Sequence, residues 1–260
     1  MLLRFVLLLL ALLPLSSLSE ECRRLTASGN SEYPPYLWRV GDDSLEMLGA
    51  IPKLMDYVSQ QLGIEIVLKY VGPWGRVQEE VAEGEIDLIA GAFYTVPRSY
   101  RMDYIRPAFQ KTRTAVWVRK AGAFPYQQWS DLQGRSGVTV INNSFGQAFD
   151  EYAEHHLNIH EAVRLNQGLN MLLGGRVEYF IYEDNPARAY AAELGILDQI
   201  EALDVPIGSE DLFLTISKKS DCNTPELRQK LSDILISAQQ QELMTQYLKQ
   251  GISEWEARTQ

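Results

Sequence analysis

Residues 84–98 read GEIDLIAGAFYTVPR. Ile86, Leu88 and Ile89 form a short apolar run of the kind a parallel sheet buries on both faces. Gly91 lets the backbone pass close to another group, and Pro97 followed by Arg98 marks the start of the next segment. Open α/β sheets bind their ligands beyond the carboxyl ends of their strands, which is where this arginine falls. Its planar fork suits a carboxylate. Taken alone, the segment reads equally as a surface arginine at a strand–helix turn.

The flanking sequence extends the pattern. Upstream, residues 25–27 begin a strand, and the two prolines of Tyr33-Pro34-Pro35-Tyr36 make a loop. Leu48, Ile51, Leu54, Val58 and Leu62 recur at helical spacing up to Gly63. Residues 64–71 then read as a strand, and Val77 and Val81 lie on a short helix ending at Gly84. This β–α–β–α–β series is the signature of a doubly wound parallel sheet.

Downstream, residues 112–119 read as a long strand and 129–132 as a helical turn, and strand 138–141 leads into a helix from Ser144. Strands are expected at 163–165, 179–182, 203–205 and 212–217, with helices near 169–173 and 186–194. Thr224 and Pro225 open one long final helix running to about Tyr247. Two α/β series without a flexible linker suggest two lobes sharing crossing strands.

Composition narrows the function. The chain has 260 residues, with 34 Asp and Glu against 24 Lys and Arg, for a net charge of −10. No basic run stands out, which argues against a nucleic-acid partner. At the start, Arg4 precedes an apolar run over residues 5–13, followed by Ser16, Ser17 and Ser19. This is read as a signal peptide over residues 1–19, so the mature chain is expected to be exported. Cys22 and Cys222 in an exported chain either pair, tying the two ends together, or remain free thiols. Neither has a His or a third Cys at metal-ligand spacing, and no metal or other cofactor is expected.

An ordered set of motifs runs along the chain: Tyr33-Pro34-Pro35-Tyr36, Gly49, Leu62-Gly63, Trp74, Gly84-Glu85-Ile86-Asp87, Thr95-Val96-Pro97-Arg98, Tyr104, Asp131-Leu132-Gln133-Gly134, Asn143-Ser144 and Gly175-Arg176-Val177-Glu178. In this order and spacing they resemble the periplasmic solute-binding proteins of family 3, the amino-acid-binding-like components of ABC importers. The resemblance implies an α/β, two-lobed periplasmic binding protein of type II with two hinge strands, at 112–117 and 211–215. Lobe 1 would comprise residues 20–113 and 213–260, and lobe 2 residues 114–212. Both cysteines would then lie in lobe 1, which favours their pairing.

The same resemblance assigns roles. Arg98 corresponds to the arginine that holds a ligand carboxylate. Asn143 and Ser144 correspond to a turn at a helix start, where backbone N–H groups favour an anion; Ser144 is otherwise simply a helix cap. Glu183 falls where amino-acid binders place an aspartate against the ligand's ammonium group. Asp184 could take over that part, or both are ordinary acidic residues beyond a strand. Tyr33, Tyr36, Trp38, Trp74 and Phe93 correspond to rim aromatics, of which Trp38 and Phe93 read equally as core. One departure matters. Ala90-Gly91-Ala92-Phe93 stands where amino-acid binders carry hydroxylated residues, so a carboxylate-bearing solute is favoured over a standard α-amino acid.

The expected function is capture, without chemistry, of a small carboxylate-containing solute (an amino acid or a relative) by a monomeric periplasmic protein that hands it to the membrane permease of an ABC importer. Two alternatives stand beside it. One is an exported cyclic-acid dehydratase using Glu183 as general acid. The other is a ligand-binding partner of a membrane sensor. His155, His156 and His160 are expected to face solvent.

Overall fold

The computed structural model describes residues 22–41 and 43–258; the leader assigned to residues 1–19 lies outside the described residues. The first series comprises β1 (Arg24–Ser28), the small strands β2 (Glu32–Tyr33), β3 (Leu37–Arg39) and β4 (Met47–Leu48), then α1 (Ala50–Leu62), β5 (Glu65–Leu68), α2 (Trp74–Glu83), β6 (Leu88–Phe93) and the single turn α3 (Val96–Ser99). A long strand β7 (Met102–Arg119) leads into the second series. That series holds β8 (Ser136–Val140), α4 (Gln147–His156), β9 (Asn158–Ala162), α5 (Leu165–Leu173), β10 (Tyr179–Glu183), α6 (Asp184–Glu193) and β11 (Ile200–Ala202). The chain returns along β12 (Gly208–Ser217) and ends in α7 (Pro225–Gln240) and α8 (Leu243–Arg258).

The pairing makes two lobes out of one continuous sheet, ordered β5-β1-β6-β12-β7-β10-β8-β9. β1, β5 and β6 are parallel, and β6 joins β12 through Leu212–Ile216. β8, β9 and β10 are likewise parallel, and β10 joins β7 at residues 114–118. Between these two groups only β7 and β12 run through, paired antiparallel over residues 111–114 and 208–211. A two-stranded ribbon is the weakest place to resist bending, so the lobes hinge there.

The deciding stretch folds for visible reasons. Ile86, Leu88 and Ile89 are fully buried, as a two-face-covered strand requires. Asp87 ties three elements together: it accepts from the backbone N–H (2.7 Å) and hydroxyl (2.9 Å) of Thr26 in β1, and from the hydroxyl of Ser220 (2.6 Å) beyond β12. Gly91 sits at φ 117°, a conformation that side-chain-bearing residues avoid, where the register of β6 against β12 shifts by one residue between Phe213 and Leu214. Cys22 and Cys222 form a disulfide across a separation of 200 residues, joining the start of β1 to the β12–α7 connection. Closing a loop of that size stabilises the fold by on the order of 5 kcal/mol in the chain-entropy picture.

Several elements differ from the sequence expectation. β7 begins at Met102 rather than 112, and its register against β12 shifts across Arg106-Pro107, where proline withholds a ladder donor. Instead of a strand at 163–165, Leu165 opens α5 and the strand is the exposed, polar β9 at Asn158–Ala162. The strand expected at 203–205 is β11, at Ile200–Ala202. The helix after β8 starts at Gln147, so Ser144 precedes its N-cap, Gly146, rather than capping it. The final helix is two helices, broken where Glu242 takes a left-handed φ of 53°.

Candidate functional site

Arg98 stands on α3, immediately beyond β6. Thr95 starts this turn, its hydroxyl accepting from the Arg98 backbone N–H at 3.3 Å. The side chain is buried, with 9% exposure. Its Nε donates to Gln78 Oε1 (3.0 Å), Nη1 to the Phe93 carbonyl (3.3 Å) and Nη2 to the Asn142 carbonyl (3.3 Å), and the guanidinium lies 5.3 Å from the centre of the Trp74 ring. Among the described residues no carboxylate lies within ion-pair distance of it. Three of its five N–H groups are thus engaged, which fixes the fork and leaves two donors. Burial pulls the guanidinium below the usual arginine value, while Tyr104, Asp150 and Glu183 oppose that shift.

Glu183 approaches from the other lobe, at the end of β10 and the start of α6. It is 3% exposed. One carboxylate oxygen accepts a long bond from the Tyr33 hydroxyl (3.4 Å), and the other has no partner among the described residues. Burial is the main reason its carboxyl is pushed up to about 7; the Tyr33 bond and Arg98 pull the other way. Tyr33 stacks on Tyr36 at 4.9 Å, and the Tyr36 hydroxyl accepts from Asn185 of α6 at 2.9 Å.

The turn after β8 completes the site. Asn142 takes a positive φ of 63°, which Asn tolerates better than most residues, and turns its carbonyl onto Arg98 and Gln78. The Ser144 hydroxyl donates to Asp150, which also accepts from the Phe145 N–H (2.9 Å). The Ser144 backbone N–H has no partner among the described residues. Burial raises the Asp150 carboxyl, with those two bonds and Arg98 opposing.

Arg98, Ser144, Glu183, Tyr33, Trp74, Phe93 and Asn143 all line one cavity of about 30 Å³ between the lobes. Ile51, Ala90, Gly91 and Leu212 supply its apolar floor, and Asn30 completes it. Tyr36 stays behind Tyr33. Trp38 is buried at 1% exposure against Trp255 and belongs to the core. Asp184 does not reach the cavity: it pairs with Arg113 of β7, which also donates to the carbonyls of Leu203 and Asp204. His155, His156 and His160 are exposed. The sequence reading missed Gln78, Asn142, Asp150 and Asn185. Gln78 lies one helical turn after Trp74, so helical spacing alone places it on the same face of α2.

This geometry, set between two α/β lobes on a two-strand hinge, agrees with what sequence comparison finds. The sequence model of the bacterial extracellular solute-binding proteins, family 3, matches residues 25–252. The chain belongs to that family. That family is one of solute-binding proteins, which supports capture over the dehydratase alternative. A search of curated protein sequences gives no match.

Solved structures resemble this family 3 protein at low identity and high coverage. An amino acid ABC transporter substrate-binding protein from Streptococcus pneumoniae, bound to L-arginine, is 17% identical over 90% of this chain and 96% of that one, with a TM-score of 0.71. A mutant of ArgBP from T. maritima is 16% identical over 89% and 96%, with a TM-score of 0.72. A histidine kinase sensor domain with similarity to periplasmic binding proteins is 16% identical over 90% and 96%, also at 0.71. At such identities the likeness establishes the two-lobed fold.

Proposed function

We propose that this protein captures a compact solute carrying both a carboxylate and an ammonium or similar donor group, and delivers it to the membrane permease of an ABC importer. The observation that carries this reading is the pair of incompletely partnered charges in one cavity: buried Arg98 with two donors to spare, and buried Glu183 with an unpartnered oxygen. The solute carboxylate would take the Arg98 donors and the Ser144 N–H. Its ammonium group would sit at Glu183 beside Tyr33. A buried, unpaired carboxylate is costly, and a cationic partner removes that cost. The small volume and the apolar floor, Ala90 and Gly91 among it, favour a short solute over one with a long side chain. A larger ligand would require the lobes to sit further apart.

Lobe 1 is assigned to residues 20–113 and 213–260 and lobe 2 to 114–212, with the boundary in the β7–β12 ribbon. Residues 1–19 act as the export signal, placing the mature monomer in the periplasm. Closure onto the solute works by population shift, because only the closed arrangement touches it with both lobes.

Isothermal titration with glycine, L-alanine, L-serine, acetate and propionate tests the reading. A short amino acid should bind, the matching monocarboxylate should bind more weakly, and Arg98→Ala should bind neither. An Arg98→Ala protein that keeps wild-type affinity would sink the assignment.

A further inference from the structure

Helix α6 begins directly after Glu183, and one stripe of it is held entirely from the other lobe. Asn185, Ala189 and Glu193 recur every four residues and therefore share a face. The Asn185 amide donates to the Tyr36 hydroxyl at 2.9 Å, and the Ala189 carbonyl accepts from the indole N–H of Trp255 at 3.0 Å. The Glu193 carboxylate pairs with Arg258 at 3.3 Å. Trp255 and Arg258 both lie on the C-terminal helix α8.

Helix α8 itself is anchored on the first lobe. Gly251 runs so close to the Tyr33–Tyr36 loop that an added Cβ would stand 2.5 Å from the Pro35 carbonyl. Glu254 pairs with Lys53 of α1 at 2.7 Å. Between these anchors Trp255, 3% exposed, packs edge-on against Trp38 of β3 (5.4 Å) and against Tyr190 of α6 (5.3 Å), with the Arg258 guanidinium 4.6 Å from its ring centre. A buried indole N–H needs an acceptor, and this one finds it only across the lobe boundary.

We propose that α8 is a clasp between the lobes and that Trp255 is a positioning residue for ligand capture. By holding α6, it keeps Glu183 over the cavity and biases the lobes toward the closed arrangement without touching the solute. The chain crosses between lobes covalently at β7 and β12, and this contact adds a breakable connection outside the cavity, beyond the cross-lobe bonds of Glu183, Asn185 and Asn142. Rotation about the ribbon would separate Trp255 either from Trp38 or from Ala189 and Tyr190. The binding consequence rests on the solute-capture reading; the conformational consequence does not.

Trp255→Phe keeps most of the ring packing but removes the cross-lobe hydrogen bond, and Arg258→Ala cuts the outer tie at an exposed position. Each variant, in the full-length mature protein, is compared with wild type by small-angle scattering, by hydrogen exchange over residues 183–193, and by stopped-flow binding of glycine and L-alanine. Both variants should show a larger radius of gyration and faster exchange in α6. The amino acid that binds wild type should dissociate about fivefold faster from Trp255→Phe at an unchanged association rate. A merely structural role would lower the melting temperature but leave the scattering radius and the dissociation rate alone. Unchanged radius and exchange in both variants would overturn the clasp. If neither amino acid binds wild type while the radius still grows, the clasp stands and the solute reading falls. Should Trp255→Phe not fold, Arg258→Ala decides the matter by the same scattering and exchange readouts.

Discussion

The two charged walls of the cavity are prepared very differently. On the first lobe Arg98 is gripped by Gln78 and the Phe93 carbonyl and lies against Trp74, so most of its orientation is set within its own lobe, and closure adds the Asn142 carbonyl of the second. On the second lobe Glu183 has one long bond from the Tyr33 side chain and an oxygen without a hydrogen-bond partner among the described residues. The first wall resembles a finished half of an ion pair. The second is a burial cost that is relieved by protonation or by a cationic ligand group. Preorganisation limits the entropy lost on binding, whereas a destabilised carboxylate links capture to pH.

The strongest way to break this comparison is to remove the prepared side. Arg98→Ala deletes a two-donor contact to a carboxylate, each bond to a charged group being worth about 1.5–3 kcal/mol, so affinity in calorimetry should fall at least about 100-fold. A smaller loss would show that the carboxylate is held elsewhere.

The next test addresses the unprepared side. A carboxyl group that titrates near 4.5 in the unfolded chain and near 7 when folded leaves the folded state holding the extra proton between those values. Stability is therefore full below pH 4.5 and declines as the pH rises through 7, by about 3 kcal/mol for such a shift. Glu183→Gln removes that dependence. In urea unfolding it should be more stable than wild type by about 2–3 kcal/mol at pH 8 and equal to it at pH 4. An ammonium-bearing solute needs the ionised form, so wild-type affinity should drop up to about tenfold per pH unit below 7. Flat affinity from pH 8 to 5.5 would remove Glu183 from the ammonium role.

Much of the first wall was legible in the sequence, and the reasons are local. Arg98 follows a strand whose apolar run and small-residue exit are unmistakable, and Trp74 and Tyr33 flank elements with clear punctuation. What completes the grip was not legible. The acceptor at Asn142 is a backbone carbonyl, which any residue carries, and only the left-handed turn aims it. The α7–α8 break was hidden because Glu242, not glycine, takes the left-handed conformation, in a run of polar residues with no stop signal. Gly251, which reads as a helix breaker, instead permits the close approach of α8 to Pro35. Long-range contacts of this kind, such as Trp255 to Ala189, leave no local pattern to find.

Gln78→Ala sharpens the comparison from the prepared side. It deletes the acceptor for Arg98 Nε, the shortest of the three bonds that hold the fork, without touching the proposed solute. A lost bond to a charged donor at a partly buried site should weaken carboxylate binding by about 1–2 kcal/mol, roughly five- to thirtyfold. If the fork were held by Trp74 and the two carbonyls alone, calorimetry would show no change.

Tyr33→Phe is the subtlest test, because it makes the unprepared side still less prepared. The Tyr33 hydroxyl is the hydrogen-bond donor to Glu183, and at 3.4 Å it contributes near the lower end for such bonds, about 0.5 kcal/mol. That bond favours the ionised carboxyl, so its loss should move the Glu183 transition above 7 by about 0.4 pH unit. The shift would appear as a decline of stability that begins at the same pH but levels off about 0.4 unit later, read from melting temperatures at half-unit steps between about pH 4 and 9. Glu183→Gln in the same background supplies the flat baseline. A transition at the wild-type midpoint would mean that Tyr33 is only a wall of the cavity, and that burial, opposed by the Glu183 backbone N–H and by Arg98, sets the state of Glu183.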